Sequence, residues 1–367
     1  VNSLGRAPLP EFPWDRLVPY AERARRHEDG IVDLSVGTPV DPTPAVVQDA
    51  LREAADAPGY PLTAGTVAVR QAATDWLQRR LGVTCPPDQV LPTVGSKELV
   101  ALLPSLLGIG GRVLFPDLAY PTYDIGARLA GCEPVAVRTV DGLVDVDALD
   151  PAGAVLLWVN YPANPHGRVA PAAHLADVVA WGRAHGVLVA SDECYAEFGW
   201  TGPVTSALAH GTDGVLAVHS LSKRSNLAGY RAGFVAGDAA VVAALLEVRR
   251  HAGLIVPAPV QAAMVAALRD DAHVEEQRHR YSERRALLLA ALAHAGWRVD
   301  HSEGGLYLWA AHPSYDCWQA VGHLAERGIL VAPGAFYGAA GARHVRIALT
   351  APTDRVAAAA RRLEHTA

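Results

Sequence analysis

Three short apolar runs, Ala154–Val159 (AVLLWV), Val187–Ala190 (VLVA) and Val215–Val218 (VLAV), follow one another along the middle of the chain. They are apolar at every position, not at alternate ones, so they read as strands buried on both faces. Arg112–Phe115 and Pro134–Val137 add strands at the same spacing, and Ala170–His185 has the length of a crossover helix. Such βα alternation builds a largely parallel α/β sheet covered by helices on both sides. Ligands of an open parallel sheet sit at the carboxyl ends of its strands. The residues that follow each run are therefore the ones to examine.

Val215–Val218 runs into Ser220-Leu221-Ser222-Lys223-Arg224, which reads as a polar loop, and Arg231 precedes a further strand at Ala232–Val235. A strand that hands a lysine into a cleft presents a partly desolvated amine, and the flanking hydroxyls and arginine are donors suited to a phosphate. The chain has two lysines, Lys97 and Lys223, against thirty arginines. A lysine kept where arginine is otherwise used suggests chemistry that a guanidinium cannot perform, such as becoming an imine nitrogen. A solvated surface lysine is the plainer alternative.

The other strand ends carry polar text too. Val187–Ala190 leads into Ser191-Asp192-Glu193-Cys194-Tyr195, and Ala154–Val159 leads into Asn160-Tyr161-Pro162-Ala163-Asn164-Pro165-His166-Gly167. Asparagine before proline is also a common turn starter. Gln89–Val94 leads into Gly95-Ser96-Lys97-Glu98, a small-residue turn opening a helix Glu98–Leu107, where free N–H groups and the positive dipole end form a phosphate cradle. Gly108–Gly111 follows a helix and precedes a strand, the wrong order for a dinucleotide fingerprint. Arg346 lies in the apolar strand Val345–Ala348, where a lone cation needs a partner.

At 367 residues the chain fits two domains, and an apolar half with 19% charged residues supplies a substantial core. The net charge of −6 argues against nucleic-acid and anionic-membrane partners. No apolar run reaches membrane-spanning length, and the polar N-terminus lacks a signal-peptide core. Cys85, Cys132, Cys194 and Cys317 have no zinc or C-x-x-C spacing, so reduced thiols in a cytoplasm and no metal are expected. A short charged helix is expected at Asp15–His27, a helix Thr66–Leu81, one long helix from Pro259 to about Ala295, and C-terminal strands at Trp297–Val299 and Gly305–Trp309.

SxSK followed by Gly-Tyr-Arg-Ala-Gly resembles the Schiff-base motif of class I aminotransferases, among the fold-type I pyridoxal-phosphate enzymes. The resemblance runs from Gly37 to Arg346 through DLSVGTPVDP, PGYP, GSKELVA, LAYPTYD, SDECY, HSLSKRSNLAGYRAGF and GILVAPG. It looks closest to the actinobacterial N-succinyldiaminopimelate aminotransferases. The implied fold is a large domain with a mostly parallel mixed sheet, helices on both faces, and a smaller α+β domain. Residues 1–43 would form an N-terminal arm and part of the small domain, 44–275 the large domain and 276–367 the C-terminal small domain.

The resemblance implies pyridoxal 5′-phosphate as cofactor and Lys223, Asp192 and Tyr195 as catalytic residues. Lys223 would carry the imine, Asp192 pair with the ring nitrogen and Tyr195 donate to the ring oxygen. Gly95, Ser96, Lys97, Ser220, Ser222 and Arg231 fall on the phosphate side. Tyr120 would stack on the ring, with Tyr123 as the other candidate, and Asn164 would bond the phenolic oxygen. Tyr60 would reach the phosphate across a homodimer interface. Gly37, Asn164 and Arg346 would hold substrate, Arg346 gripping the α-carboxylate, with a structural Arg–Asp pair as the alternative. The implied reaction passes an amino group between glutamate and N-succinyl-2-amino-6-oxopimelate with ping-pong kinetics.

His166 stands where most relatives carry Thr, Ala335 where Asp is common, and Gly304-Gly305 where bulkier residues occur. All three fall on expected substrate-facing loops, which makes an aminotransferase of specialised metabolism the main rival. A catalytically silent pyridoxal-phosphate sensor is a rival of another class, and residues 1–30 are too few for the DNA-binding domain such regulators carry.

Overall fold

A computed structural model describes residues 9–364. The first eight residues of the expected 1–43 arm lie outside the described residues.

Seven strands form the main sheet, in the order Val90–Val94, Ala232–Gly237, Val215–Ser220, Leu188–Asp192, Ala154–Asn160, Arg112–Pro116 and Glu133–Val137. The last five are mutually parallel, and Ala232–Gly237 runs antiparallel to both its neighbours. The sheet is thus mixed and mostly parallel, as expected. Along Val215–Val218 the side chains alternate between two cores. Val215 and Ala217 pack with Trp76, Phe234 and Met264, while Leu216 and Val218 pack with Leu99, Leu103, Tyr123 and Trp158. An apolar residue is therefore needed at every position, which is why the run lacks alternation.

A smaller antiparallel sheet joins Arg298–Asp300, Tyr307–Ala311, His344–Ala348 and Ala332–Pro333. Val32–Asp33 pairs in parallel with Ile329–Leu330, which draws the N-terminal segment onto this smaller unit. Among the described residues no helix is long and apolar enough to cross a membrane.

Four expectations need correction. The single helix from Pro259 is two, Ala258–Arg269 and Ala272–His294. Asp270 leaves helical geometry (φ −102°, ψ 113°), and its carboxylate binds the Ala272 N–H at 3.0 Å and His273 Nδ1 at 2.9 Å. A short acidic side chain that offers the backbone an alternative partner ends a helix there. The loop Ser220–Arg224 contains a helical turn, Leu221–Arg224, capped by Ser220 Oγ accepting the Ser222 N–H at 3.2 Å. The first helix is a 3-10 turn, Pro13–Leu17, followed by Val18–Arg25, each with a proline in its opening positions. The expected strand Gly305–Trp309 starts at Tyr307 because Gly305 has φ +76°, outside strand geometry.

Candidate active site

The carboxyl ends of three adjacent strands place Asn160 opposite Asp192 and Asp192 opposite Val218, two residues before Ser220. Lys223 follows on its capped turn, and its Nζ donates to Gly37 O at 2.6 Å. Burial holds this amine below the usual lysine range, with Tyr307 and Cys194 acting in the opposite sense.

Asp192 is buried, and burial pushes its carboxyl above the usual range against two donors. Tyr123 Oη donates to Oδ2 at 2.9 Å, and the Cys194 N–H donates to Oδ1 at 3.2 Å. Asn160 was not singled out from the sequence, yet it links the strand ends. Its Nδ2 donates to Asp192 O at 2.7 Å, and its Oδ1 accepts the Asn164 N–H at 2.7 Å.

Asn164 Oδ1 in turn accepts from Arg346 Nη1 at 3.0 Å, while Arg346 Nη2 donates to Ser35 O at 2.8 Å. Arg346 Nε is buried with no hydrogen-bond partner among the described residues. Arg346 forms no salt bridge among them, so the structural Arg–Asp pair is not what this strand contains. Its guanidinium instead lies 3.9 Å from the Tyr307 ring centroid and 4.9 Å from that of Tyr337. Tyr195 Oη and Tyr307 Oη are 3.2 Å apart. The hydroxyl of Tyr307 lies so close to Gly37 that a Cβ on Gly37 would overlap it. Tyr307, like Asn160, is a residue that reading the sequence did not name for the site. The one signal was its place directly after Gly304-Gly305-Leu306 at the start of a strand.

A second group lies at the other end of the cleft. Gly95 (φ +72°) is the N-cap of the helix Ser96–Leu106, with no side chain capping it, so the first N–H groups stay free. A Cβ on Gly95 would overlap Arg231, whose Nη1 donates to Ala228 O at 3.0 Å. Ser220 and Ser222 are buried beside the Lys223 turn. Lys97 Nζ is 6.0 Å from the centroid of Tyr120. Tyr123 is fully buried, stacked on Trp158 at 5.0 Å, and its hydroxyl is spent on Asp192. Tyr120, half-buried and edge-on to Tyr123, is the ring left at the cleft. Tyr60 is 99% exposed, so its own chain brings it to none of these residues.

His166 is buried, and its Nδ1 accepts the Arg168 N–H at 3.2 Å. Burial pulls the imidazole down to about 3, so it is neutral. It lines a small cavity with Asn160, Asn164, Tyr123, Ala119 and Leu118. Arg168 is held by Asp141 at 2.9 Å and Glu303 at 3.0 Å. Ala335 is exposed. Gly304 bonds Gly167 O at 2.8 Å and packs on Pro162 and Val169, where a Cβ would crowd both. That glycine serves close packing and leaves no room for substrate beside it.

Residues 29–363 match the family described as aminotransferase class I and II. The chain is 58% identical to 4-dedimethylamino-4-oxo-anhydrotetracycline transaminase of Streptomyces rimosus, covering 97% of this chain and 99% of that one. It is 56% identical to a probable aminotransferase of Mycobacterium tuberculosis, over 99% of this chain and 89% of the relative. A solved structure of a probable N-succinyldiaminopimelate aminotransferase from Thermus thermophilus superposes with a TM-score of 0.89 at 31% identity, covering 97% of this chain and all of that one.

Proposed function

The chain belongs to the class I and II aminotransferases, a pyridoxal-phosphate-dependent family, and from that premise we propose the division of labour in its cleft. One observation carries the proposal: a half-buried amine on Gly37 O, a hydrogen-bonded buried carboxylate and a guanidinium with no carboxylate partner among the described residues share one cleft.

These residues fit the cofactor. Gly95 and Gly233 leave the helix N-terminus open, since a Cβ on either would crowd Arg231 or the Gly95–Ser96 backbone. The free N–H groups of that turn, the Ser220 and Ser222 hydroxyls, Lys97 and Arg231 would hold the phosphate, with Tyr60 of a second subunit of a homodimer. Tyr120 would cover one face of the ring, and Asn164 and Tyr195 would face its phenolic oxygen. When bound, pyridoxal phosphate supplies an electrophilic carbon and an electron-withdrawing ring. Asp192 would hold a proton at the ring nitrogen, and the Tyr123 hydroxyl favours the ionised carboxylate against burial. Arg346 and Asn164 grip the substrate α-carboxylate, which fixes the α-carbon before Lys223 Nζ, and Lys223 moves the α-proton. Gly37 lets backbone approach where a side chain would displace Tyr307.

The amino donor is glutamate. For the acceptor we favour a ketone on an apolar body, of the kind named for the Streptomyces relative. The cavity beside Asn164 has no charged side chain among its described lining residues, and Arg168 is already neutralised by two carboxylates. A second carboxylate on a long acceptor finds no free cation there. The second reading is N-succinyl-2-amino-6-oxopimelate, favoured by the likeness to the Thermus structure, with its distal carboxylate met by a partner subunit.

The holoenzyme separates these readings by its colour. L-Glutamate should bleach the visible cofactor band, and the true acceptor should restore it. Restoration by a polycyclic aromatic ketone and not by the succinylated keto acid supports the first reading. The reverse pattern supports the second. No bleaching by glutamate removes the donor assignment.

A further inference from the structure

The N-terminus of the helix Ser96–Leu106 is left open by its own acidic residue. Gly95, the N-cap, has no side chain, and its N–H is spent on Thr93 O at 2.8 Å. Glu98 is the acidic residue of the first turn and stands three residues after the N-cap, where a glutamate ordinarily reaches back to the N-cap N–H. Here its Oε2 accepts the Val94 N–H instead, one residue earlier, at 3.3 Å. Arg249 takes the rest of that carboxylate. Its Nη1 donates to Oε1 at 2.7 Å and to Oε2 at 3.0 Å, and its Nη2 donates to Leu254 O at 3.2 Å. Arg249 is fully buried on the helix Ala239–Ala252, and Glu98 is the one carboxylate in a salt bridge with it among the described residues.

A carboxylate in that turn is an electrostatic problem. A phosphate monoester at the same helix end carries about 1.5 to 2 negative charges at neutral pH. An unpaired Glu98 would repel it and compete with it for the free N–H groups. We propose that Arg249 is a positioning residue for the cofactor's phosphate: it acts through Glu98, neutralising that carboxylate and holding it on Val94, so that the first-turn N–H groups stay available. The inference rests on the phosphate site proposed above.

The geometry suits a fixed counter-ion. The guanidinium bonds Glu98 and the Leu254 carbonyl at once, which fixes its plane, and its burial leaves the pair little screened by salt. Lys97 and Arg231, the cations proposed for the phosphate, are exposed and form no salt bridge among the described residues, so their charge is not spent on Glu98. Opposite signs follow for the two partners of one ion pair. Removing Arg249 frees a carboxylate at the cradle, whereas neutralising Glu98 leaves a cation behind it.

Binding of pyridoxal phosphate and of phosphate-free pyridoxal to the apo-protein tests this without any turnover. Arg249→Met should lose about ten- to a hundredfold in affinity for pyridoxal phosphate, the scale of a hydrogen bond to a charged group, and keep its affinity for pyridoxal. Glu98→Gln should bind pyridoxal phosphate as well as wild type or better, even though its stranded Arg249 charge lowers stability. A pair that merely braces two helices predicts that both variants lose affinity, and for both ligands alike.

The double variant Arg249→Met/Glu98→Gln strands no charge and should recover most of the affinity that Arg249→Met loses. It also keeps the idea exposed where a single variant fails to fold: a double variant as weak as expected for Arg249→Met overturns it, since no carboxylate is left to compete. A loss of pyridoxal phosphate affinity in Glu98→Gln, or none in Arg249→Met, overturns it as well. Wild-type apo-protein that binds no pyridoxal phosphate would sink the cofactor site itself. A wild type that binds it, with Arg249→Met losing both ligands equally, would sink only the role of Arg249.

Discussion

Asp192 shows at the residue scale how a strand end is made chemically useful. Burial pushes this carboxyl above its usual range, and the Tyr123 hydroxyl and the Cys194 N–H work against that. Tyr123→Phe removes one donor and keeps the ring stacked on Trp158. A hydrogen bond to a charged group is worth about 1.5–3 kcal/mol, so cofactor affinity should fall roughly ten- to a hundredfold. The sign on pH follows: the variant's carboxyl protonates at higher pH than wild type's, so cofactor is lost earlier as pH falls. Equilibrium dialysis at several pH values measures both, and wild-type affinity with an unmoved acid limb would rule out this role. The placement of Lys223, Asp192 and Arg346 was legible in the sequence because each is a polar residue at or inside an apolar strand. The contacts of Asn160, of Tyr307 and of Tyr123, the last named only as a possible ring neighbour, were not, because they depend on which neighbour a ring or amide meets across the fold. Sequence spacing does not carry that information.

The strands were legible at the element scale because each must be apolar on both faces, and that requirement writes itself into every residue. The helix break at Asp270 and the helical turn under Lys223 were not, since both are decided by side-chain hydrogen bonds. That turn is anchored from below. Arg224, 3% exposed, reaches Glu197 Oε1 at 3.3 Å and donates to Ala267 O at 2.9 Å, and its guanidinium lies 5.6 Å from the Trp76 ring centroid. Trp76 Nε1 donates to the same carboxylate oxygen at 2.8 Å, and Arg80 reaches the other at 2.9 Å. Arg80 also has Glu275, whereas Glu197 is the one carboxylate in a salt bridge with Arg224 among the described residues, Asp271 acting on it from farther away. Glu197→Gln would keep the shape and strand a buried cation, a change that costs about 3–5 kcal/mol when a buried pair is broken. Denaturant unfolding of the apo-protein should show a loss of that size. A loss below about 0.5 kcal/mol, the ordinary scatter of surface substitutions, would mean that the pair does not anchor the turn.

At the scale of the whole molecule, one chain leaves its own site short of a proposed part. Tyr60 is 99% exposed and neighbours Leu62 at 66% and Val67 at 71%, an apolar stretch that a monomer would leave in water. If this stretch meets a second copy about a two-fold axis, each Tyr60 serves the other subunit's phosphate site. Complementation between two disabled variants decides the matter. Lys223→Ala lacks the amine and keeps Tyr60, while Tyr60→Ala lacks the tyrosine and keeps Lys223. Refolded together in equal amounts, half of the dimers are hybrids. In each hybrid the Lys223-bearing site receives an intact Tyr60 from its partner, while the other site is dead twice over. Activity should recover to about a quarter of wild type. Were Tyr60 to act within its own chain, every site in every dimer would lack one of the two residues, and mixing would recover nothing. The recovered fraction therefore reports which subunit supplies the residue, independently of the acceptor finally assigned to the enzyme.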